Sequence, residues 1–311
     1  MIKPRALKMG DTIGLIGPSG AIRTEGGLEK AIKALEEQGF KVVVGENCSQ
    51  KYGYLSGKDD ARAADINRMF RDPDIDGVFC VRGGYGTPRI LDKIDYEAVR
   101  ENPKLFIGYS DITAIHIALN HLCGLVTIHG PMAASDMIFD FDDFSKESYL
   151  RAITCADPLG VLKNPEGYEI KTLVPGKARG KIVGGNLMLI ATTLGTPYEI
   201  DTRGKILLLE DIGEYTYCID RMLTQLRLAG KLDDCEGIVL GDFKDCVPEY
   251  EEYGLSLMEI FEDIISPSNK PAIYNFMAGH CNTKITVPLG VECCLDGDNG
   301  ILEITESALT L

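Results

Sequence analysis

The chain has 311 residues, with 32 Lys plus Arg against 47 Asp plus Glu, a net charge of −15 and 45% hydrophobic residues. That acidity repels a phosphate backbone and supplies no counterion release, so nucleic acid is not an expected partner. No run approaches the roughly 18 apolar residues of a membrane span, and the apolar stretch of MIKPRALKMGDTIGLIGPSG is short and broken by Gly and Pro, which predicts a folded cytoplasmic protein with no membrane partner.

The length suits two domains. From the N-terminus, the apolar runs TIGLIG (12–17), KVVVG (41–45), GVFCV (77–81), LFIG (105–108) and LVTIHG (125–130) alternate with EGGLEKAIKALEEQ, KDDARAADINRMFRD, TPRILDKIDYEAVREN and DITAIHIALNHLCG. The runs lack strict polar alternation, as strands buried on both faces do, and the intervening segments carry apolar residues at helical spacing. This pattern predicts an α/β domain, a doubly wound parallel sheet, over residues 1–140. The acidic FDFDDFSKESYL and turn-rich ADPLGVLKNPEGYE mark a linker over 141–170. Beyond it, VPGKARGKIVGGNLMLIATTLG, KILLLE, YCIDRMLTQLRLAGK, GIVLGDF and the tail KITVPLGVECCLDGDNGILEITE mix strand and helix patterns. They predict an α+β domain over 171–311 whose strands curl into a barrel-like sheet.

The ten cysteines are scattered, without a C-x-x-C pair, and the adjacent Cys293 and Cys294 would point to opposite faces of a strand. They read as reduced, buried, small apolar residues, and no metal site is expected.

Ligands of α/β sheets gather at the carboxyl ends of strands, and three such ends are polar here. GPSG (17–20) fits neither the dinucleotide nor the P-loop pattern and reads as a tight turn. In CVRGGYGTPRI (80–90), glycines let the backbone approach a ligand or point N–H groups at an anion. In IGYSD, strand, Gly, Ser and helix follow one another, the context of a nucleophile elbow, although the motif is not G-x-S-x-G. Position alone leaves two readings open: Ser110 is lifted above the sheet as a nucleophile, or Ser110 or Asp111 caps the following helix. In the capping reading the protein is a binding protein whose glycine loops hold an anion.

A nucleophilic serine needs a base. Of the four histidines, His116 and His121 lie five apart on a helix and read as packing or surface residues. His129, ending the fifth strand, is a competing base, and His280, in the loop FMAGHCNTK, is the preferred one. A carboxylate must orient that imidazole, and KILLLED ends in two; Glu210 is the preferred orienter, with Asp211 and Glu214 as alternatives.

RGGYG (82–86), GYSD (108–111), HGPM (129–132), GGNL (184–187), LLLED (207–211) and GH followed by VPLG (279–290), in this order, closely resemble the LD-carboxypeptidase family, the muramoyltetrapeptide carboxypeptidases, which are serine peptidases. The resemblance implies Ser110 as nucleophile, Glu210 as acid and His280 as base. It also implies oxyanion-hole amides at Gly84, Gly83 and Asp111, an N-terminal Rossmann-like domain and a C-terminal β-barrel-like domain with the site between them. No metal or cofactor is implied, and a homodimer is frequent. The expected substrate is a small peptide, a cell-wall muropeptide that loses a C-terminal D-amino acid by cleavage of an L,D-peptide bond during peptidoglycan recycling. An exopeptidase must also bind a free carboxylate, and Arg82 is the cationic candidate, with a structural ion pair as its alternative role. Asn186 is a second expected substrate contact. The related microcin C immunity peptidases use the same triad on peptidyl or aminoacyl nucleotide analogues and stack the leaving group on aromatic residues. This chain has no Trp, so tyrosine would have to serve.

Overall fold

The computed structural model describes residues 1–139, 141–250 and 252–311. In chain order the strands are β1 (Thr12–Ile16), β2 (Lys41–Val44), β3 (Gly77–Cys80), β4 (Leu105–Gly108), β5 (Thr127–His129), β6 (Gly160–Leu162), β7 (Lys171–Val174), β8 (Lys177–Asn186), β9 (Lys205–Ile212), β10 (Gly237–Lys244), β11 (Ala272–Tyr274), β12 (Val287–Leu289), β13 (Glu292–Asp296) and β14 (Ile301–Ile304). The α-helices are α1 (Gly27–Glu36), α2 (Asp59–Arg71), α3 (Tyr96–Glu101), α4 (Thr113–Ala118), α5 (Asp143–Thr154), α6 (Leu187–Thr193), α7 (Thr216–Leu228), α8 (Lys231–Asp234) and α9 (Leu257–Ile264).

Two compact units share these elements. One comprises Met1–Asp157, Thr286–Gly290 and Ala308–Leu311; the other comprises Pro158–Ile285 and Val291–Ser307. The units therefore differ from the linear halves 1–140 and 171–311, whose expected boundary residue Asp140 lies outside the described residues. The segment 141–170 carries α5 and β6 rather than a bare connection. The tail divides because β12 pairs antiparallel with β5, Val287 opposite His129 and Leu289 opposite Thr127, which draws 286–290 into the first unit. Pro288 is tolerated there because β12 is the edge of its sheet, where a missing N–H breaks no ladder.

The first unit holds a six-stranded sheet in the order β12-β5-β4-β3-β1-β2, parallel except at β12. Every residue of β3, β4 and β5 is buried, which accounts for their unbroken apolar runs. The chain runs from β1 outward to β2 and then crosses back to β3 on the other side of β1. The loops after β1 and β3 therefore diverge, and this switch point is where such sheets open a ligand crevice.

Two expected helices are broken. Residues 87–102 form a 3-10 stretch, Thr87–Lys93, and then α3, whose N-cap Asp95 accepts a hydrogen bond from Ala98 N at 3.0 Å. Residues 110–123 form a 3-10 turn, Ser110–Ile112, then α4 and a π turn, Leu119–Cys123.

The second unit holds an eight-stranded sheet in the order β6-β14-β13-β8-β9-β10-β11-β7. Its centre, β8 to β11, is parallel, and antiparallel strands flank it. Among the described residues no pairing joins β6 to β7, so the expected barrel-like curl is realised as an open mixed sheet. Within β9, Ile206 to Asp211 are all buried.

Candidate active site

In the first unit the switch point assembles three loops. Gly20 N donates to Gly83 O at 3.2 Å, joining the loop after β1 to the one after β3. Arg62, fully buried on α2, braces the same loops by donating from Nη1 to Pro18 O at 2.5 Å and to Gly86 O at 2.9 Å, while its Nη2 pairs with Asp59 at 2.6 Å. The third loop carries Ser110, half-buried at the end of β4.

Ser110 has φ 65°, a left-handed conformation that a residue with a Cβ adopts only under strain. Tyr109 and Ile112, the residues at the N-cap positions of the 3-10 turn and of α4, make no side-chain cap hydrogen bond. The glycine loop passes directly over the serine. A Cβ built on Gly83 would stand 2.9 Å from Ser110 Cβ and 3.1 Å from its Oγ, closer than real side chains pack. Gly84 has φ 128°, open only to glycine. A side chain at 83 would collide with the serine, and one at 84 would press on the Gly20 backbone 3.2 Å away, so the loop needs glycine at both positions.

Asp111, 1% exposed, ties the three loops together. Its Oδ2 accepts from Ser19 Oγ at 2.6 Å and from Thr87 N at 2.9 Å, and Thr87 Oγ1 donates to its carbonyl oxygen. Burial pushes this carboxyl above the usual range, and the hydrogen bonds from Ser19 and Thr87 oppose that rise. Arg82, half-buried, donates from Nε to Gly83 O and from Nη1 to Ala21 O, both at 3.1 Å. Burial, with the charge of Arg23 nearby, lowers its pKa, and among the described residues no carboxylate pairs with it.

In the second unit, β9 ends in the carboxylates expected from KILLLED. Glu210, fully buried, places Oε2 2.7 Å from His280 Nδ1. Gly279 makes this possible: with φ 114° it turns the loop, and a Cβ there would stand 2.5 Å from that same oxygen. Asp211 faces elsewhere. Its carboxylate accepts from Asn186 Nδ2 and Ile212 N at 2.9 Å and from Met188 N at 3.0 Å. Burial, reinforced by Glu210, pushes its carboxyl up to about 6. Asn186, 3% exposed, is the N-cap of α6 and accepts from Leu189 N at 3.2 Å. Burial and the charge of Glu210 also raise Asp242 on β10. Glu214 lies in the loop between β9 and α7.

The remaining histidines differ in surroundings. His116 is buried, donates from Nε2 to Gly108 O at 2.8 Å, and burial depresses it to about 3, so it stays neutral. His121 is exposed. His129, 1% exposed at the end of β5, packs its ring 5.8 Å from that of Tyr109. Sequence reasoning passed over Ser19, Arg62 and Thr87, and weighed the Asp111 side chain only as a helix cap. A polar residue at the carboxyl end of β1 is a usable signal for Ser19, whereas a buried arginine among the charges of α2 gives none.

A serine held in a left-handed turn, and an imidazole oriented by a buried carboxylate, are the parts from which serine hydrolases are built. Comparison with known proteins narrows the class. The LD-carboxypeptidase N-terminal domain matches residues 13–130, and the LD-carboxypeptidase C-terminal domain matches residues 179–295. The probable murein peptide carboxypeptidase of Bacillus subtilis (strain 168) is 45% identical over 295 residues, covering 94% of this chain and 91% of its own length. Among solved structures, the muramoyltetrapeptide carboxypeptidase from Oxalobacter formigenes superposes with a TM-score of 0.84 at 28% identity, covering 96% of this chain and 100% of that one. The microcin C7 self immunity protein MccF, solved in complex with aspartyl sulfamoyl adenosine, superposes with a TM-score of 0.91 at 26% identity over 100% of both chains. The chain belongs to the LD-carboxypeptidase family and is a carboxypeptidase of the serine type.

Proposed function

We propose that the protein hydrolyses the L,D-peptide bond that precedes a C-terminal D-amino acid in cell-wall muropeptides, with Ser110 as nucleophile, His280 as base and Glu210 as orienting acid. One observation carries the assignment: the 2.7 Å bond between His280 Nδ1 and the buried Glu210 carboxylate. It keeps the imidazole proton on Nδ1, leaves the Nε2 lone pair for the serine proton, and stabilises the imidazolium that forms. Ser110 Oγ bonds to the carbonyl carbon as its proton moves to His280. The oxyanion is held by the N–H groups of Gly84, Gly83 and Asp111, each such donor being worth about 3 to 4 kcal/mol. Collapse breaks the C–N bond, His280 returns the proton to the departing amine, and water then cleaves the acyl-enzyme by the same route.

Arg82 is assigned to the free carboxylate of the leaving D-amino acid. Among the described residues its guanidinium donates to the carbonyl oxygens of Gly83 and Ala21 and to no carboxylate, which supports a charge held in reserve for an anion. Asn186 is the weaker substrate contact, because Leu189 and Asp211 already engage its side chain. We place the reaction in peptidoglycan recycling in the cytoplasm, by a homodimer without metal or cofactor; ten free cysteines support a reducing compartment.

A second reading rests on the likeness to the immunity protein: the same serine would cleave an aminoacyl nucleotide analogue. Parallel assays on an L,D-tetrapeptide and on an aminoacyl sulfamoyl adenosine separate the two. Release of the terminal D-amino acid, seen by mass spectrometry and faster than nucleoside release, is the expected result, and the reverse order favours the second reading.

A further inference from the structure

A cavity of about 370 Å³ in the second unit lies between the first turns of α7 and the segment leading to α9. Three tyrosines, Tyr217, Tyr250 and Tyr253, line it with two carboxylates, Asp220 and Glu249, and the apolar Ile260. Neither Glu210 nor His280 does.

Its frame is fixed. Thr216, at the start of α7, donates from N to Val247 O at 3.1 Å and from Oγ1 to Leu255 O at 2.7 Å, pinning the segment that carries Tyr250 and Tyr253. Those two rings stack with centroids 5.1 Å apart, yet each leaves about half or more of its surface exposed, 53% and 74%; Tyr217 is 49% exposed.

Charge selects among ligands. Among the described residues the lining has two carboxylates and no Lys, Arg or His, so an anion is repelled. The N-terminal amides of α7 do not reverse this, because Thr216 N is used by Val247 O, and Cys218 N and Ile219 N by Tyr215 O. A neutral sugar would lie on the rings and donate hydroxyls to the carboxylates, but it brings no positive charge to offset the two negative ones. An alkylammonium satisfies both features, pairing with the carboxylates while its charge lies over the tyrosine faces. Tyr217 is engaged by the stacked ring of Tyr215, 5.8 Å away, and by the Arg221 guanidinium, 5.4 Å from its centroid, so Tyr250 and Tyr253 are the rings that offer a face.

We infer that this cavity binds an organic ammonium group of the kind carried by lysine-type side chains and by polyamines. This goes beyond the peptidase reading and does not depend on it. Calorimetric titration of the full chain with Nα-acetyl-lysine methylamide, 1,5-diaminopentane, Nα-acetyl-norleucine methylamide and N-acetylglucosamine tests it. One or both ammonium ligands bind, and their order tells a peptide side chain from a free polyamine. The norleucine analogue, matched in length but uncharged, binds at least about tenfold more weakly. The double variant Asp220→Asn/Glu249→Gln preserves shape, and it and Tyr250→Ala each weaken the ammonium ligands by about tenfold while carboxypeptidase turnover and melting temperature hold. Binding of norleucine or the sugar as tight as that of both ammonium ligands, no ammonium binding, or wild-type affinity in the double variant would overturn the assignment.

Discussion

Gly279 and Glu210 are packed so closely that a single methyl group on the glycine would stand 2.5 Å from the carboxylate oxygen that holds His280. The backbone of the histidine loop thus rests on the carboxylate itself, in a conformation, φ 114°, that alanine adopts only under strain. Gly279→Ala must shift either Glu210 or His280. Misplacing a catalytic group by about 1 Å costs on the order of 10²-fold in rate, so kcat should fall by that order in a chain that still folds by circular dichroism. A kcat within twofold of wild type would show that the contact yields at no cost.

Ser110→Gly separates strain from chemistry. Its φ of 65° is unfavourable for serine and free for glycine, so the variant should be more stable by about 1 kcal/mol and melt a few degrees higher. Its peptidase activity should vanish. Calorimetry and a turnover assay on the same sample check both halves, and a lower melting temperature would mean that the serine's contacts outweigh its strain.

The Asp111 carboxylate ties the turn that carries Ser110, the proposed nucleophile, to Ser19 and Thr87. Asp111→Ala leaves a buried hydroxyl and a buried N–H without an acceptor, at about 1 to 3 kcal/mol each. It should lower kcat more than it raises KM and slow labelling by a fluorophosphonate, while Ser19→Ala, which removes one donor, has the smaller effect. Equal changes in kcat and KM for the two variants would contradict this role.

Asp211 sets a pH dependence of stability. Burial pushes its carboxyl up to about 6, against about 3.9 in an unfolded chain. Between those values the folded chain keeps a proton that the unfolded chain has released, so stability falls as pH rises from about 4 to about 6 and is level above, a loss of roughly 3 kcal/mol. Asp211→Asn cannot titrate. Urea unfolding across this window should therefore show the wild type losing stability relative to the variant, and a difference that is flat or rises would contradict the assignment.

The first unit's parallel strands were legible because each is buried on both faces, so GVFC and LFIG are continuous apolar runs bounded by polar turns. The destination of VPLG was not, since Val287 pairs with His129 far away in sequence and three residues carry no signature of their partner. The break in 87–102 is fixed by the cap bond from Ala98 N to Asp95 and by the bond from Asp95 N to Asn67, which helical periodicity does not report. At the candidate site, residue types and strand ends offer Ser110, Glu210 and His280 but leave a helix cap, His129, Asp211 and Glu214 open as alternatives, and the spaced motifs of the family resemblance choose among them. What distinguishes a cap from an elbow, the sign of one φ angle and the long-range bonds of Asp111, exists only once the loops after β1, β3 and β4 meet.

The central claim is that Ser110 attacks with the help of His280. Intact-mass and peptide-mapping analysis of the protein treated with a fluorophosphonate tests it most directly. A single adduct on Ser110, absent in Ser110→Ala and slowed by at least about 10³-fold in His280→Ala, is the predicted result. An adduct on another residue, or an undiminished rate in His280→Ala, would contradict the account.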